Sequence, residues 1–475
     1  MGDVQDEHPA DALGMPPDEH PADALGMPPD EMRRLAHWVV DSVLDHFEHG
    51  PLQPVIAARP FDELMGVLGG PVPEEPGDPL AAMSCLVDVA LAHMQHGDHP
   101  RYFARVPGPS SFAAVLGEWL ATGFNAIASS WAGGAGPTAV ELVVLDWLRS
   151  LLGIPEGAGG VLTSGGSLAN LTALVAARRV GGPGVVYLSD QTHASIRRDL
   201  VATGVPPEHV KVLETDDRYR MPVESVAAAV ERDRREGRRP AVVVATAGTT
   251  NTGAVDPLPE LADLCRSERL WLHVDGAYGA PGALCERGRS LLAGIELADS
   301  LVLDPHKWLF QPYDVGALLV RHPGALESTF DMSAEYLANA TADPGEVDLR
   351  DRSLELSRRA RAIKVWLTFR VYGVGRMRAA IERCIELAEH AERVLADDGR
   401  WRVVTPAQLG IVTFARTGTG HEDHAPAAAR VNHDGFAAVT STTLRGRSVL
   451  RLCTINPRTT ESDIEETIER LADPV

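Results

Sequence analysis

Between Gly160 and Arg321 the chain repeats one pattern, a short, mainly apolar run followed by a segment with helical spacing. The runs are Gly160–Thr163, Val185–Leu188, Val210–Leu213, Ala241–Thr246, Trp271–Asp275, Ser300–Leu303 and Gly316–Val320. A strand without polar alternation is buried on both faces, and a sheet achieves that with helices packed on either side. Seven such strands separated by crossovers predict a mostly parallel, doubly wound α/β sheet. That class also fixes where chemistry belongs, because open parallel sheets bind ligands beyond the carboxyl ends of their strands.

Several strand ends carry reactive or polar residues. Thr163-Ser164-Gly165-Gly166-Ser167 precedes the helical segment Leu168–Arg178. Small residues there let backbone N–H groups approach an anion at a helix N-terminus, although an ordinary tight turn would use the same residues. The spacing matches neither a P-loop nor the GxGxxG dinucleotide pattern. His193, in Asp190-Gln191-Thr192-His193-Ala194-Ser195, could stack on a planar ring, move a proton or cap the next helix. Thr246 ends a further strand and can hydrogen-bond a ring substituent. His273-Val274-Asp275-Gly276-Ala277-Tyr278 places an aspartate at the end of a buried strand, where an unpaired charge is costly. A pyridinium nitrogen would satisfy Asp275, as would an arginine or a turn, and the small Ala277 leaves room for a flat ring.

Lysine is nearly absent. Of 44 basic residues only Lys211, Lys307 and Lys364 are lysines. Arginine stays charged in proteins, whereas a lysine can lose its proton and bond a carbonyl carbon. Lys307 sits in Asp304-Pro305-His306-Lys307-Trp308, directly after the run Ser300–Leu303. Lys211 lies on a strand without chemical neighbours, and Lys364 follows Arg358, Arg359 and Arg361 on a basic helix and reads as structural charge.

The order of these features (anion cup, histidine, threonine, strand-end aspartate, lysine beside His306) resembles the large domain of fold-type I pyridoxal-phosphate enzymes. The wording is similar to the group II amino-acid decarboxylases, the aromatic-L-amino-acid and glutamate decarboxylase family. The resemblance runs from about Pro100 to Pro457. It includes His99-Pro100-Arg101-Tyr102-Phe103, Ser130-Trp131 through Glu141-Leu142, Asp146-Trp147-Leu148, the two motifs around Asp275 and Lys307, Leu356 through Trp366, and Tyr372-Gly373-Val374.

The resemblance implies a mostly parallel seven-stranded sheet flanked by helices, with a small α+β C-terminal domain. It implies pyridoxal 5'-phosphate as cofactor, an amino-acid substrate, and a homodimer whose active site is shared. Lys307 matches the Schiff-base lysine, Asp275 the partner of the pyridine nitrogen, Ala277 and His193 the residues on the two ring faces, and Thr246 a neighbour of the phenolic oxygen. Gly165, Gly166 and Ser167 match the phosphate cup, helped by His306. Tyr336 matches the loop tyrosine that returns a proton to Cα; aldehyde-forming relatives carry phenylalanine there, so tyrosine favours simple decarboxylation. Arg105, Pro107, Ser129 and Trp308 fall at substrate-side positions.

The chain departs from the family at Asp304, usually asparagine, and at Arg105, Ser129 and Gly108, which replace two aromatics and a threonine. Arg105 could grip a carboxylate, face solvent or serve the dimer interface. The expected activity is L-amino-acid decarboxylation. Aldehyde-forming oxidative decarboxylation, another lyase or transaminase reaction, and a non-catalytic scaffold are the alternatives.

The remaining features bound the setting. A net charge of -22 argues against nucleic-acid and anionic-membrane partners. No apolar stretch is long enough to span a bilayer, and no secretory signal opens the chain. The scattered Cys85, Cys265, Cys285, Cys384 and Cys453 show no metal-ligand spacing and fit free thiols in a reducing cytoplasm. DEHPADALGMPP occurs twice in tandem over Asp6–Pro29, which reads as a disordered tail over residues 1–30. A helical segment over 31–110, a cofactor-binding domain over 111–372 and a small domain over 373–475 complete the expected organisation. In the small domain the pattern predicts strands at Arg402–Thr405, Ile411–Ala415 and Ser448–Thr454, with a closing helix after Thr460.

Overall fold

The computed structural model describes residues 25–331, 345–418 and 423–473. It divides into two compact units, one containing the residues up to Gln53 with Ala57–Met94, the other Pro54–Ile56 with Gln95 onward. The smaller unit is helical, with helices Pro29–His49, Phe61–Leu68 and Pro79–Cys85. Asp78 caps the last of these through the backbone N–H groups of Leu80 and Ala81.

The larger unit holds the sheet. Its strands are β1 (Gly159–Thr163), β2 (Val185–Ser189), β3 (Val210–Leu213), β4 (Pro240–Thr246), β5 (Trp271–Asp275), β6 (Ser300–Leu303) and β7 (Gly316–Val320). They lie in the order β1-β7-β6-β5-β4-β2-β3. The pairs β3–β2, β2–β4, β4–β5 and β5–β6 are parallel, and β7 runs antiparallel to both β6 and β1. The expected mostly parallel seven-stranded sheet is therefore present, with one reversed strand in its interior.

Except in the edge strand β3, where Val212 is exposed, side chains along the strands alternate between two cores. Val243, Ala245, Leu301, Leu303, Ala317 and Leu319 belong to one cluster, and Val242, Val244, Val302, Leu318 and Val320 to the other. This period of two is what a strand sandwiched by helices must show. Each fully buried valine or leucine contributes about 1.5–3 kcal/mol, so the runs that marked the strands in the sequence also anchor the sheet.

A second sheet follows the long helix Ala362–Asp397, which breaks at Gly373, where φ is 70°. It is antiparallel, in the order β10-β11-β9-β8, with β8 (Trp401–Gln408), β9 (Ile411–Arg416), β10 (Thr440–Leu444) and β11 (Arg447–Cys453). Three of these match the expected strands; β10 is the addition. The closing helix Glu461–Ala472 starts with a reciprocal capping box between Thr460 and Asp463.

Candidate active site

Parallel strands bring their carboxyl ends to one edge. Thr246 at the end of β4 is in register with Asp275 at the end of β5, and Asp275 with Val302 on β6. Lys307 follows β6 after one short turn. Because β7 is antiparallel, it begins at this same edge, with Gly316 paired to Thr163 of β1. The segment between Lys307 and β7 therefore stays beside the site and brings Tyr313 and Val315 into it.

These elements enclose a cavity of about 380 Å³ lined by Gly165, Gly166, Ser167, His193, Thr246, Asp275, Ala277, His306, Lys307, the family-departing Asp304 and, unforeseen in the sequence, Tyr313. Every residue expected to contact the cofactor reaches this one cavity. Its volume suits a small cofactor.

Lys307 Nζ lies 2.8 Å from Asp304 Oδ2. Burial would push the Lys307 ammonium down, but the Asp304 carboxylate, with Asp275 further off, outweighs it and holds the amine above its ordinary value. His306 accepts the Val315 N–H on Nδ1 at 3.2 Å, which leaves Nε2 facing Asp304 Oδ2 at 3.6 Å. The Tyr313 ring lies 4.6 Å from the His306 ring. It fills the space beside Gly108, where a Cβ would fall 2.9 Å from it.

Asp275 is buried and accepts the Ala277 N–H at 3.1 Å. One turn of strand earlier, His273 Nε2 donates to Asn170 Oδ1 at 2.9 Å and Nδ1 accepts from Ser300 Oγ at 2.8 Å. Burial pushes His273 down to about 4, so it stays neutral and brings no rival cation to Asp275. Burial, then the Asp275 carboxylate, push Asp199 up to about 7.

Thr246 is held by its backbone. Asp256 accepts the N–H groups of Thr246 and Met221, both at 2.7 Å, and thereby ties the end of β4 to the loop before the next helix. The Thr246 hydroxyl is buried without a partner among the described residues. His193 caps the helix Ala194–Ala202, its Nδ1 accepting the Ser195 N–H, while the residue itself is exposed at the cavity. Capping and ring stacking are compatible, since one uses a ring edge and the other a face.

The substrate-side positions lie elsewhere. Arg105 is exposed with a left-handed backbone, φ 48°, and its carbonyl accepts from Arg451. Pro107 is buried outside the cavity lining. Ser129 Oγ accepts the Arg358 N–H at 2.8 Å. Trp308 is fully buried and stacked on Tyr278 at 5.5 Å, a core position rather than a cavity wall. Tyr336 lies outside the described residues.

The residues fit a pyridoxal-type cofactor. An orphaned buried hydroxyl, a strand-end carboxylate, an amine and a glycine-lined helix N-terminus face one space, and a Cβ on Gly166 would meet Ala277 Cβ at 3.0 Å.

Residues 71–417 match the pyridoxal-dependent decarboxylase conserved domain. The chain is 45% identical over 446 residues to an aromatic-L-amino-acid decarboxylase of Bacillus atrophaeus, covering 91% of this chain and 93% of that one. It superimposes on the crystal structure of Oryza sativa TDC with PLP and tryptamine at a TM-score of 0.89 and 30% identity, covering 94% and 97%. A 4-hydroxyphenylacetaldehyde synthase of Rhodiola rosea is similar at a TM-score of 0.86 and 28% identity, covering 94% and 98%.

Proposed function

The chain belongs to the pyridoxal-dependent decarboxylases, and from that premise we propose that it removes the carboxylate of aromatic L-amino acids. Its cofactor is pyridoxal 5'-phosphate and its reaction releases CO2 and an amine. The aromatic preference is carried by Tyr313, a residue 64% exposed that lines the cavity shared with Lys307. The 45% identity to the Bacillus enzyme supports it.

Bound pyridoxal phosphate supplies the electron sink for the electrons left when CO2 departs. Lys307 would hold it through its amine, with Asp275 at the ring nitrogen, Ala277 and His193 on the two faces, Thr246 at the phenolic oxygen, and Gly165, Gly166 and Ser167 with His306 at the phosphate. Asp275 would face the ring nitrogen, and neutral His273 brings no competing cation to that place. His193, pinned by its cap, presents a ring that can hold a proton above the cavity. Tyr336 takes the role of returning a proton to Cα.

Assaying CO2 release over aromatic, acidic and branched amino acids tests the substrate class. Aromatic substrates should dominate; turnover of acidic amino acids alone would give Arg105 the specificity role and sink the aromatic reading. Hydrogen peroxide and ammonia should stay at background. Asp275→Ala should lower kcat by about 10²–10³-fold, the scale of losing one preorganised electrostatic group. A change confined to KM would remove Asp275 from the chemistry.

The active species in this reading is a homodimer. Leu120, Phe124, Ile127, Leu354 and Leu356 are exposed, and Ile127, which bridges to Arg359, lines a groove together with Asn125, Ala126 and Ser357–Arg361. Clustered exposed apolar side chains of this kind mark interfaces. Sedimentation should give twice the chain mass, and a fully active monomer would refute the shared site. The five free cysteines support a reducing compartment such as the cytoplasm.

A further inference from the structure

We propose that Asp304 shares a proton with the cofactor's phosphate, so that the preference for pyridoxal phosphate over unphosphorylated pyridoxal falls as pH rises. The inference rests on the phosphate seat at Gly165, Gly166 and Ser167 given above.

Asp304 is 2% exposed. Its Oδ2 pairs with Lys307, while Oδ1 is buried with no hydrogen-bond partner among the described residues. A Cβ on Gly166 would fall 2.9 Å from Oδ2 and 3.3 Å from Oδ1. Both oxygens therefore crowd over the first residue of the helix Gly166–Gly181, the end whose N–H groups would receive the phosphate. A helix N-terminus favours one anion there; a carboxylate and a phosphate dianion side by side in a buried space repel strongly. A proton on the pair removes that repulsion and lets Asp304 donate a hydrogen bond to a phosphate oxygen. Oδ1 is the atom free to carry it.

Other charged groups face the same point. Lys307 and His306 come from Asp304's own segment, Tyr313 from the segment before β7, and Asp275 acts on Lys307 from the end of β5. The protonation of Lys307 affects both aldehydes alike, so the ratio of their affinities isolates the phosphate. His306 could hold the proton instead, and removing the Asp304 charge separates the two.

The test titrates pyridoxal phosphate and pyridoxal into cofactor-free full-length protein, read by visible absorbance from pH 6.5 to 9. Above about pH 6 a free phosphate monoester is a dianion, so binding with a shared proton takes one up. The wild-type affinity ratio should then fall by up to about tenfold per pH unit. In Asp304→Asn the ratio should be flat and at least about tenfold higher at pH 9. A flat wild-type ratio overturns the proposal, and an equal slope in Asp304→Asn assigns the proton to His306 and overturns it too. Gly166→Ala tests the seat separately. Loss of phosphate preference supports the seat, and an unchanged preference overturns it whatever Asp304 does.

Discussion

Lys307→Ala abolishes amine production, with a fall in kcat of at least about 10³-fold, and the protein no longer acquires visible-edge absorbance when mixed with pyridoxal phosphate. Lys307→Arg behaves the same way, because a guanidinium keeps its charge and cannot bond a carbonyl carbon as an amine does. The fully buried Lys364 is the control. Lys364 Nζ donates to the carbonyl oxygens of Pro312 and Asp314 at 2.9 and 3.0 Å and pairs with Glu118 at 2.8 Å. It holds the segment that presents Tyr313, so Lys364→Met should lower stability and distort that segment yet keep the absorbance. Retained absorbance in Lys307→Ala, or its loss in Lys364→Met with the fold intact, would transfer the cofactor attachment away from Lys307.

The same three lysines show what the sequence could and could not carry. Lys307 was legible because its strand end, its histidine and its distant aspartate were all visible as motifs. Lys364, on a basic helix, reads as structural charge, which fits, but its two carbonyl acceptors lie on a loop whose position depends on β7 running backwards. Apolar content marks a strand as buried and says nothing of its direction. Tyr313 carries no signal in the sequence for the same reason, since only an antiparallel β7 returns its segment to the site. β10 was missed because Thr440–Leu444 is polar and sits at the edge of its sheet, where one side needs no burial. Asp256 works through two backbone N–H groups, a role with no side-chain signature. Asp304 stands out in the sequence as a departure from a family pattern, but its crowding over Gly166 is a fact of three dimensions.

A second large effect should come from a residue outside the cavity. Arg358 is 1% exposed and donates to Glu141 Oε1 and to the carbonyl oxygen of Leu162, both at 2.6 Å, and to Ala128 O at 2.5 Å. Glu141 Oε1 also accepts the Leu162 N–H at 2.8 Å. The pair therefore clamps both backbone groups of Leu162, one residue before Thr163 and the glycine cup. Removing one partner of a buried ion pair leaves a charge without compensation and costs about 3–5 kcal/mol. Arg358→Ala should lower thermal stability by that amount, and Glu141→Ala by a similar one. The double variant Arg358→Met with Glu141→Leu removes both charges and should recover most of the stability. Cofactor affinity separates the clamp's two roles. If the clamp only stabilises the sheet, the double variant binds pyridoxal phosphate like wild type. If it also sets the position of β1 against the cup, stability returns while phosphate-dependent affinity does not. The second outcome is expected, because the replacement side chains cannot hold the Leu162 N–H and carbonyl in place. Wild-type stability in Arg358→Ala would remove the clamp from both roles.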